Sequence, residues 1–306
     1  MVEALNYVGV QVHLNSLSPF DTQATRVLQL IQKMSLVTHF LSFDAAFASI
    51  SGFLLYVAPH YFADALFQKP TDGVHWHLMR CVGGQIFASS LVSYRFRTSS
   101  PVSQSVCHFI RIIPSILCLI LLFQLQSMTP ELVPTLFLKL VKFTMFGTIA
   151  THIALLSRSG WITGQHLAVE NKFGNFLYQL DALASLCIGV AWMTFPKWLL
   201  HRQVLVELDA THELLGRVMG ANFIASYIVS THSLYWDSQN DRNVAVDSRV
   251  LCCISILGGQ LWSQTYEHWS GNHWIGITLF STWTIISLIY RTYLTVNGNS
   301  TTKKAQ

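Results

Sequence analysis

The chain has 306 residues, 51% of them hydrophobic and only 11% charged, with a mean hydropathy of +0.40 and a net charge of +4. A soluble globular domain carries about 25% charged residues, so this composition excludes one or two ordinary water-covered domains. No basic stripe is interleaved with aromatics, which excludes a nucleic-acid partner.

The first stretch, 1–18, has no basic region leading into an apolar run, so no cleavable signal peptide is expected and the first span would act as the anchor. In 21–34, Val27, Leu28, Leu30, Ile31 and Met34 gather on one side with Arg26 and Lys33 elsewhere, as in a helix lying in the membrane interface. Residues 1–34 thus read as a cytosolic N-terminal segment. A crossing needs roughly 20 mostly apolar residues to cover ~30 Å of hydrocarbon. Eight stretches answer to that: 35–58, 78–94, 109–126, 132–156, 176–196, 214–235, 250–266 and 274–294. The second and seventh are short. Residues 296–306 read as a disordered cytosolic tail. The fold class expected is all-α, a polytopic membrane protein with eight transmembrane helices.

Orientation follows the short-loop Lys and Arg. Arg26, Lys33, Arg95, Arg97, Arg158, Lys172, Arg242, Arg249, Arg291, Lys303 and Lys304 fall on the side of the N-terminus. Lys69, Lys197 and Arg202 fall on the other, with Arg80 and Arg217 just inside spans. Both termini are expected in the cytosol. The sequon Asn299-Ser300-Thr301 would then never meet the lumen. The six cysteines include no Cys-x-x-Cys and read as buried free thiols.

A duplication is the most informative pattern. A shift of 137 residues, the distance from Asp44 to Asp181, carries Gly52 onto Gly189, Pro59 onto Pro196, His75 onto His212, Arg80 onto Arg217, Gly83 onto Gly220 and Ser93 onto Ser230. Beyond a longer loop the shift becomes 140, the distance from Ser115 to Ser255, and Gln124 falls on Gln264. Four spans per unit restore the starting side, so the two repeats, 35–158 and 172–295, are parallel and related by an axis along the membrane normal. Two four-helix bundles packed side by side are expected. Each unit has an acidic first helix ending in Pro and a second opening with Arg-x-x-Gly, here Arg80-Cys81-Val82-Gly83 and Arg217-Val218-Met219-Gly220. This resembles the four-helix membrane domains of the DoxX-like superfamily in duplicated form, which implies a fold more than an activity.

Asp44 and Asp181 each lie about nine residues into a span, ~13 Å deep at 1.5 Å per residue. A carboxylate at that depth needs a partner or water, so both are candidates for a ligand or ion site, with a structural hydrogen bond as the alternative. Arg80 and Arg217 either snorkel to headgroups or bind an anion. The axial gap from Asp44 to Arg80, on the order of 10–15 Å in a ~30 Å core, excludes a direct salt bridge. Lys139 and Lys142 share a face of span four and would line a cavity or snorkel beside Glu131. The stripes Arg80, Gly84, Ala88 and Arg217, Ala221, Ala225, with Gly83 and Gly220, are helix-packing candidates, expected to bring the first and second helix of each unit close. Haem through His39, His108 or His152 is the alternative to having no cofactor, and no metal site is expected.

No nucleophile elbow or phosphate loop is present, and the reading leans away from an enzyme. The expected function is a multi-pass membrane protein that binds or transports a small or lipophilic ligand within a helical bundle. A cargo or assembly partner and a redox or lipid-modifying subunit are the alternatives. The expected partners are the lipid bilayer, and either a lipophilic ligand or another membrane protein.

Overall fold

The structure, a computed structural model, describes the backbone of residues 19–164, 166–167, 172–267 and 274–304, and within those stretches side chains from 36 to 296. Among the described residues there are ten α-helices and no strand: α1 Pro19–Val57, α2 Pro59–Leu66, α3 Gly73–Phe96, α4 Pro101–Met128, α5 Thr135–Ser159, α6 Lys172–Thr194, α7 Pro196–His201, α8 Ala210–His232, α9 Gln239–Tyr266 and α10 Trp274–Lys304. Each of the eight apolar stretches falls on one long helix. The boundaries differ at the ends. α1 begins sixteen residues or so upstream of the first span, taking in the backbone of 21–34, whose side chains lie outside the described residues. α10 continues to Lys304, so the backbone of 296–304 is helical rather than a disordered tail.

Local chemistry sets the breaks. Pro59 and Pro196 cannot donate a backbone hydrogen bond, so each ends a long helix and opens a short one as its first residue. Asp72, Ser100, Asp209 and Ser238 accept from first-turn amides and cap α3, α4, α8 and α9. Gly160, at φ 87°, closes α5 in the left-handed conformation.

Packing centres on α3 and α8, which lie against each other. α1 packs on α3 and α6 on α8. α5 lies on α4, and α10 on α9. The two halves are not separate side-by-side bundles, however. α4 packs on α8 as closely as on α5, and α9 packs on α3 as well as on α10, so each third long helix bridges its own half and the other. Hydropathy reports which faces are apolar but not which neighbour covers them, so this exchange has no signature in the sequence.

Among the described residues, five helices are long and apolar enough to cross a membrane by length and composition: Leu36–Val57 of α1, then α4, α5, α6 and α9. α3 and α8 are less apolar because other helices enclose them. α3 buries His75, His77, Arg80, Gln85 and three serines along its length. The outer helices show the reverse: Phe43, Phe47 and Ile50 of α1, Leu136 and Phe143 of α5, and Ile275 and Ile289 of α10 are exposed.

The small-residue positions pack, but not all where the sequence placed them. Gly83 faces α1: a Cβ there would lie 2.7 Å from the Gly52 carbonyl oxygen and from the Tyr56 amide nitrogen. Gly220 faces α6 in the same way, 2.7 Å from the Gly189 oxygen and 2.8 Å from the Met193 nitrogen. The stripe of Arg80, Gly84 and Ala88 turns instead to α9. A Cβ on Gly84 would meet Ser255 Cβ at 2.5 Å, and Ser248 donates to the Ala88 carbonyl at 3.1 Å. Ala221 and Ala225 are buried on α8. Because the atoms facing Gly83 and Gly220 are backbone, they cannot rotate away. Gly83→Ala and Gly220→Ala are expected to cost about 1–3 kcal/mol of stability through overpacking. Gly147→Ala, where nothing lies within 4 Å, should be neutral or slightly stabilising. Thermal unfolding in detergent measures all three.

Candidate functional site

Among the described residues, three of the polar clusters inside the helical body bring candidate residues together. The first lies between α1, α3, α4 and α5. Arg111 Nε donates to both Asp44 oxygens, at 3.0 and 3.1 Å, and Nη1 donates to Ser89 at 2.8 Å. Ser93 donates to Asp44 Oδ2 at 2.8 Å. His152 Nε2 stands 3.8 Å from Asp44 Oδ1, and its Nδ1 is 3.0 Å from His108 Nδ1. The corresponding place between α6, α8 and α9 holds Asp181, bonded by Ser230, with Arg249 Nε at 3.2 Å from Oδ1. The two imidazoles of the first cluster have no counterpart there: the 140-residue shift carries His108 onto Ser248 and His152 onto Thr292.

The second lies where α3 meets the end of α9. Arg80 forms an ion pair with Glu267 and its guanidinium sits 5.4 Å over the Trp262 ring. Ser263 donates to Glu267 at 2.8 Å, and His77 Nδ1 is 3.0 Å from Ser263 Oγ. His77 Nε2 is 3.5 Å from Cys81 Sγ. Beside this chain opens a cavity of about 200 Å³ between α3 and α6–α10. Trp192, Met219, Phe223 and Phe280 supply apolar wall, and His77, Gln203 and Gln260 the polar points. Gln260 is 5% exposed, and its amide oxygen has no hydrogen-bond partner among the described residues. Gly276 makes room for it: a Cβ there would lie 2.3 Å from Gln260 Nε2.

The third is the junction of the α3 and α8 N-termini. Asp72 caps α3 and Asp209 caps α8, and the histidine three residues on is drawn back onto each carboxylate, with His75 Nδ1 and His212 Nδ1 each 2.8 Å away. The two imidazoles face each other with ring centroids 3.8 Å apart. Burial alone would raise the Asp72 pKa, but hydrogen bonds and charge from His212 and His75 outweigh it and hold the carboxyl well below the usual carboxylate range. At Asp209 burial is likewise outweighed, by the Thr211 hydroxyl and the His212 amide, and the pKa falls to about 2.

These contacts rearrange the roles expected of individual residues. Asp44 and Asp181 are in the interior as expected, each paired with an arginine that was not among the candidates. Arg80 does not snorkel; it is buried and paired with Glu267. Arg217, half-buried, pairs with Glu213 one turn away at 3.3 Å. Lys142 leans on α4, bonding Gln126 and lying 4.6 Å over the Phe123 ring. Lys139 is exposed. Neither lysine lines the cavity described. Arg242 and Arg249 are not loop charges: both are buried in α9, which begins at Gln239. His108 and His152 hydrogen-bond each other directly, which leaves no iron-sized gap between those nitrogens, and His39 is exposed. Arg111 had a readable signal: a cation inside an apolar span demands a counter-charge. So had Asp72, which the 137-residue shift carries onto Asp209.

The Asp44–Arg111 pair is nearly enclosed, with side-chain exposures of 11% and 12%. Removing one partner of such a pair leaves an uncompensated charge and costs about 3–5 kcal/mol, whereas an apolar pair of similar volume is close to neutral. Asp44→Leu and Arg111→Met alone should each lower the melting temperature sharply, and the double variant should recover most of the loss. Melting of the four proteins in one detergent measures the coupling; losses that simply add would show that the two residues act apart.

No curated protein and no solved structure matches the chain. The model of one family, described as Domain of unknown function (DUF8292), matches residues 42–292, from the middle of α1 to α10, and the chain belongs to that family.

Proposed function

We propose that the protein is an eight-span membrane protein, built of two head-to-tail four-helix units with both termini cytosolic, and that it binds a lipophilic molecule carrying a hydrogen-bond donor at one end. The span count is supported by the inside-out distribution of side chains. Asp181, Arg242, Arg249, His108 and His152 are buried, while Phe, Leu and Ile cover the outer faces of α1, α5, α6 and α10. The two-unit reading is supported by contacts at positions 137 residues apart: Ser93 with Asp44 and Ser230 with Asp181, Gly83 on Gly52 and Gly220 on Gly189. The DoxX-like comparison stands on the same reading.

The observation that carries the ligand assignment is Gln260, which lines a largely apolar cavity and whose buried amide oxygen has no partner among the described residues. An unmet buried acceptor costs about 1–3 kcal/mol. A hydroxyl at the head of a hydrocarbon body meets it, while Trp192, Phe223 and Phe280 take the body. A long-chain alcohol or a sterol has that chemistry. The protein purified in mild detergent should carry such a molecule, identified by mass spectrometry of its organic extract. Gln260→Leu should weaken binding of a radiolabelled long-chain alcohol about tenfold and leave the matching alkane unaffected, in line with the ~0.5–1.5 kcal/mol of one hydrogen bond. Ala191→Trp should fill the cavity and abolish binding of both. Equal retention of lipid by wild type and Ala191→Trp overturns the assignment.

The orientation has its own test. With both termini cytosolic, Asn299 should remain free of glycan in cells, and an acceptor sequon inserted beside Lys69 should be used. Digestion with an endoglycosidase, read as a gel shift, checks both; a glycan on Asn299 reverses the topology.

A further inference from the structure

The junction of α3 and α8 gathers two imidazoles, two carboxylates and a hydroxyl into one hydrogen-bonded cluster. Thr211 Oγ1 lies within hydrogen-bond reach of Asp209 Oδ1, and only the hydroxyl can supply the proton there. That proton is therefore spent, and Thr211 Oγ1 accepts from His75 Nε2, 2.7 Å away. With Nε2 protonated, His75 Nδ1 stands 3.2 Å from the Asp72 backbone amide. The same Nδ1 faces Asp72 Oδ1 at 2.8 Å. His212 repeats the pattern, its Nδ1 2.8 Å from Asp209 Oδ1 and 3.2 Å from the Asp209 amide. Its Nε2 lies 3.2 Å from each Asp72 oxygen. Two imidazole nitrogens thus converge on one carboxylate, where a positive charge, a proton on an imidazole or a bound ion, balances the cluster.

We propose that Asp72, His75 and His212 bind a divalent transition metal of the zinc type, with Asp209 and Thr211 as the groups that orient the imidazoles. The three ligand atoms lie within 4.8 Å of one another. A tetrahedral ion with bonds of ~2.0–2.2 Å sets its ligands about 3.3 Å apart, so the observed separations of 2.8 and 3.2 Å need to open by only a few tenths of an ångström. Asp209 serves both rings, His212 directly and His75 through Thr211, which is the carboxylate–histidine–metal arrangement. The carboxylates of Asp72 and Asp209 together balance a charge of two, offsetting the unfavourable dipoles of the two helix N-termini. The histidine side chains are 3% and 5% exposed and that of Asp72 is 44% exposed, so the fourth position opens to solvent beside Asp72. The ion would pin α3 to α8, the two central helices. Nothing in this assignment depends on the lipid cavity.

The test uses the full chain in detergent, stripped with a chelator, dialysed and titrated with zinc alone. Elemental mass spectrometry should find one zinc per chain, and cobalt in its place should give the visible bands of a tetrahedral site. His75→Ala and His212→Ala should lose the metal, and His201→Ala should keep it. Asp209→Asn should weaken it by about 10–100-fold, the usual effect of removing an outer-shell partner. Asp72→Asn keeps a capping side chain and removes a ligand, so it separates loss of metal from loss of fold; its melting curve should lose the rise that zinc gives the wild type. Wild type that binds no more zinc than the His75→Ala, His212→Ala double variant, or that gives no tetrahedral cobalt spectrum, overturns the proposal and assigns the missing positive charge to a proton on an imidazole.

Discussion

The contact on which the rest of the molecule depends is backbone against backbone. Gly83 lies directly on the Gly52 carbonyl, and Gly220 on that of Gly189. Lipid gives helices little hydrophobic reason to associate, so close van der Waals fit and interhelical hydrogen bonds must do it. Only glycine allows this approach. Once α1 and α3 are this close, Ser93 reaches Asp44 and Ser49 reaches Ser90, each through a short side chain. α6 and α8 bring Ser230 to Asp181 by the same route. A wider spacing would leave both carboxylates without those bonds at a depth where water is scarce.

The second constraint is charge. A carboxylate held by serine alone still needs a cation, and neither α3 nor α8 supplies one. The cation comes from the third long helix: Arg111 on α4 for Asp44, and Arg249 on α9 for Asp181. Those helices also cross between the halves, α4 lying on α8 and α9 on α3. Each ion pair therefore ties a helix that belongs to one half by sequence to a seam that runs across both. This is why α9 starts as early as Gln239 and buries Arg242 and Arg249, although its N-terminal turns are polar: Tyr178, Asn175 and Asp181 of α6 are waiting for them.

Much of the helix inventory was legible, because twenty-residue apolar runs and helix-breaking prolines are strong local signals. The acid positions, the glycines and the recurrence at 137 residues were legible for the same reason. What could not be read was pairing. Depth along the spans separates Arg80 from Asp44, but its actual partner Glu267 sits beyond the end of an apolar run and carries no signal in the linear pattern. The stripe of Gly84 and Ala88 announces a close contact without saying with which helix, and the partner proved to be α9. The histidines illustrate the limit best. In the sequence His75 and His212 are only a matched pair in the 137-residue recurrence, and the meeting of two helix N-termini turns them into a facing pair.

The two halves part company where chemistry could reside. Shifted by 137, His77 falls on Leu214 and Cys81 on Val218; shifted by 140, Glu267 falls on Ser127 and Gln260 on Ile120. The polar chain of Arg80, Glu267, Ser263 and His77 therefore exists on one side only. On the other, Arg217 turns back to Glu213 on its own helix, beside Leu121, Leu125 and Leu214. Helix spacing is enforced equally in both halves by glycine, serine and aspartate, so those residues follow from architecture. The residues that differ are free of that requirement. The unmet Gln260 amide oxygen, beside an apolar cavity and at a position where the other half has Ile120, is costly to keep and contributes nothing to holding helices together, and that asymmetry is where the proposed binding site departs from the scaffold.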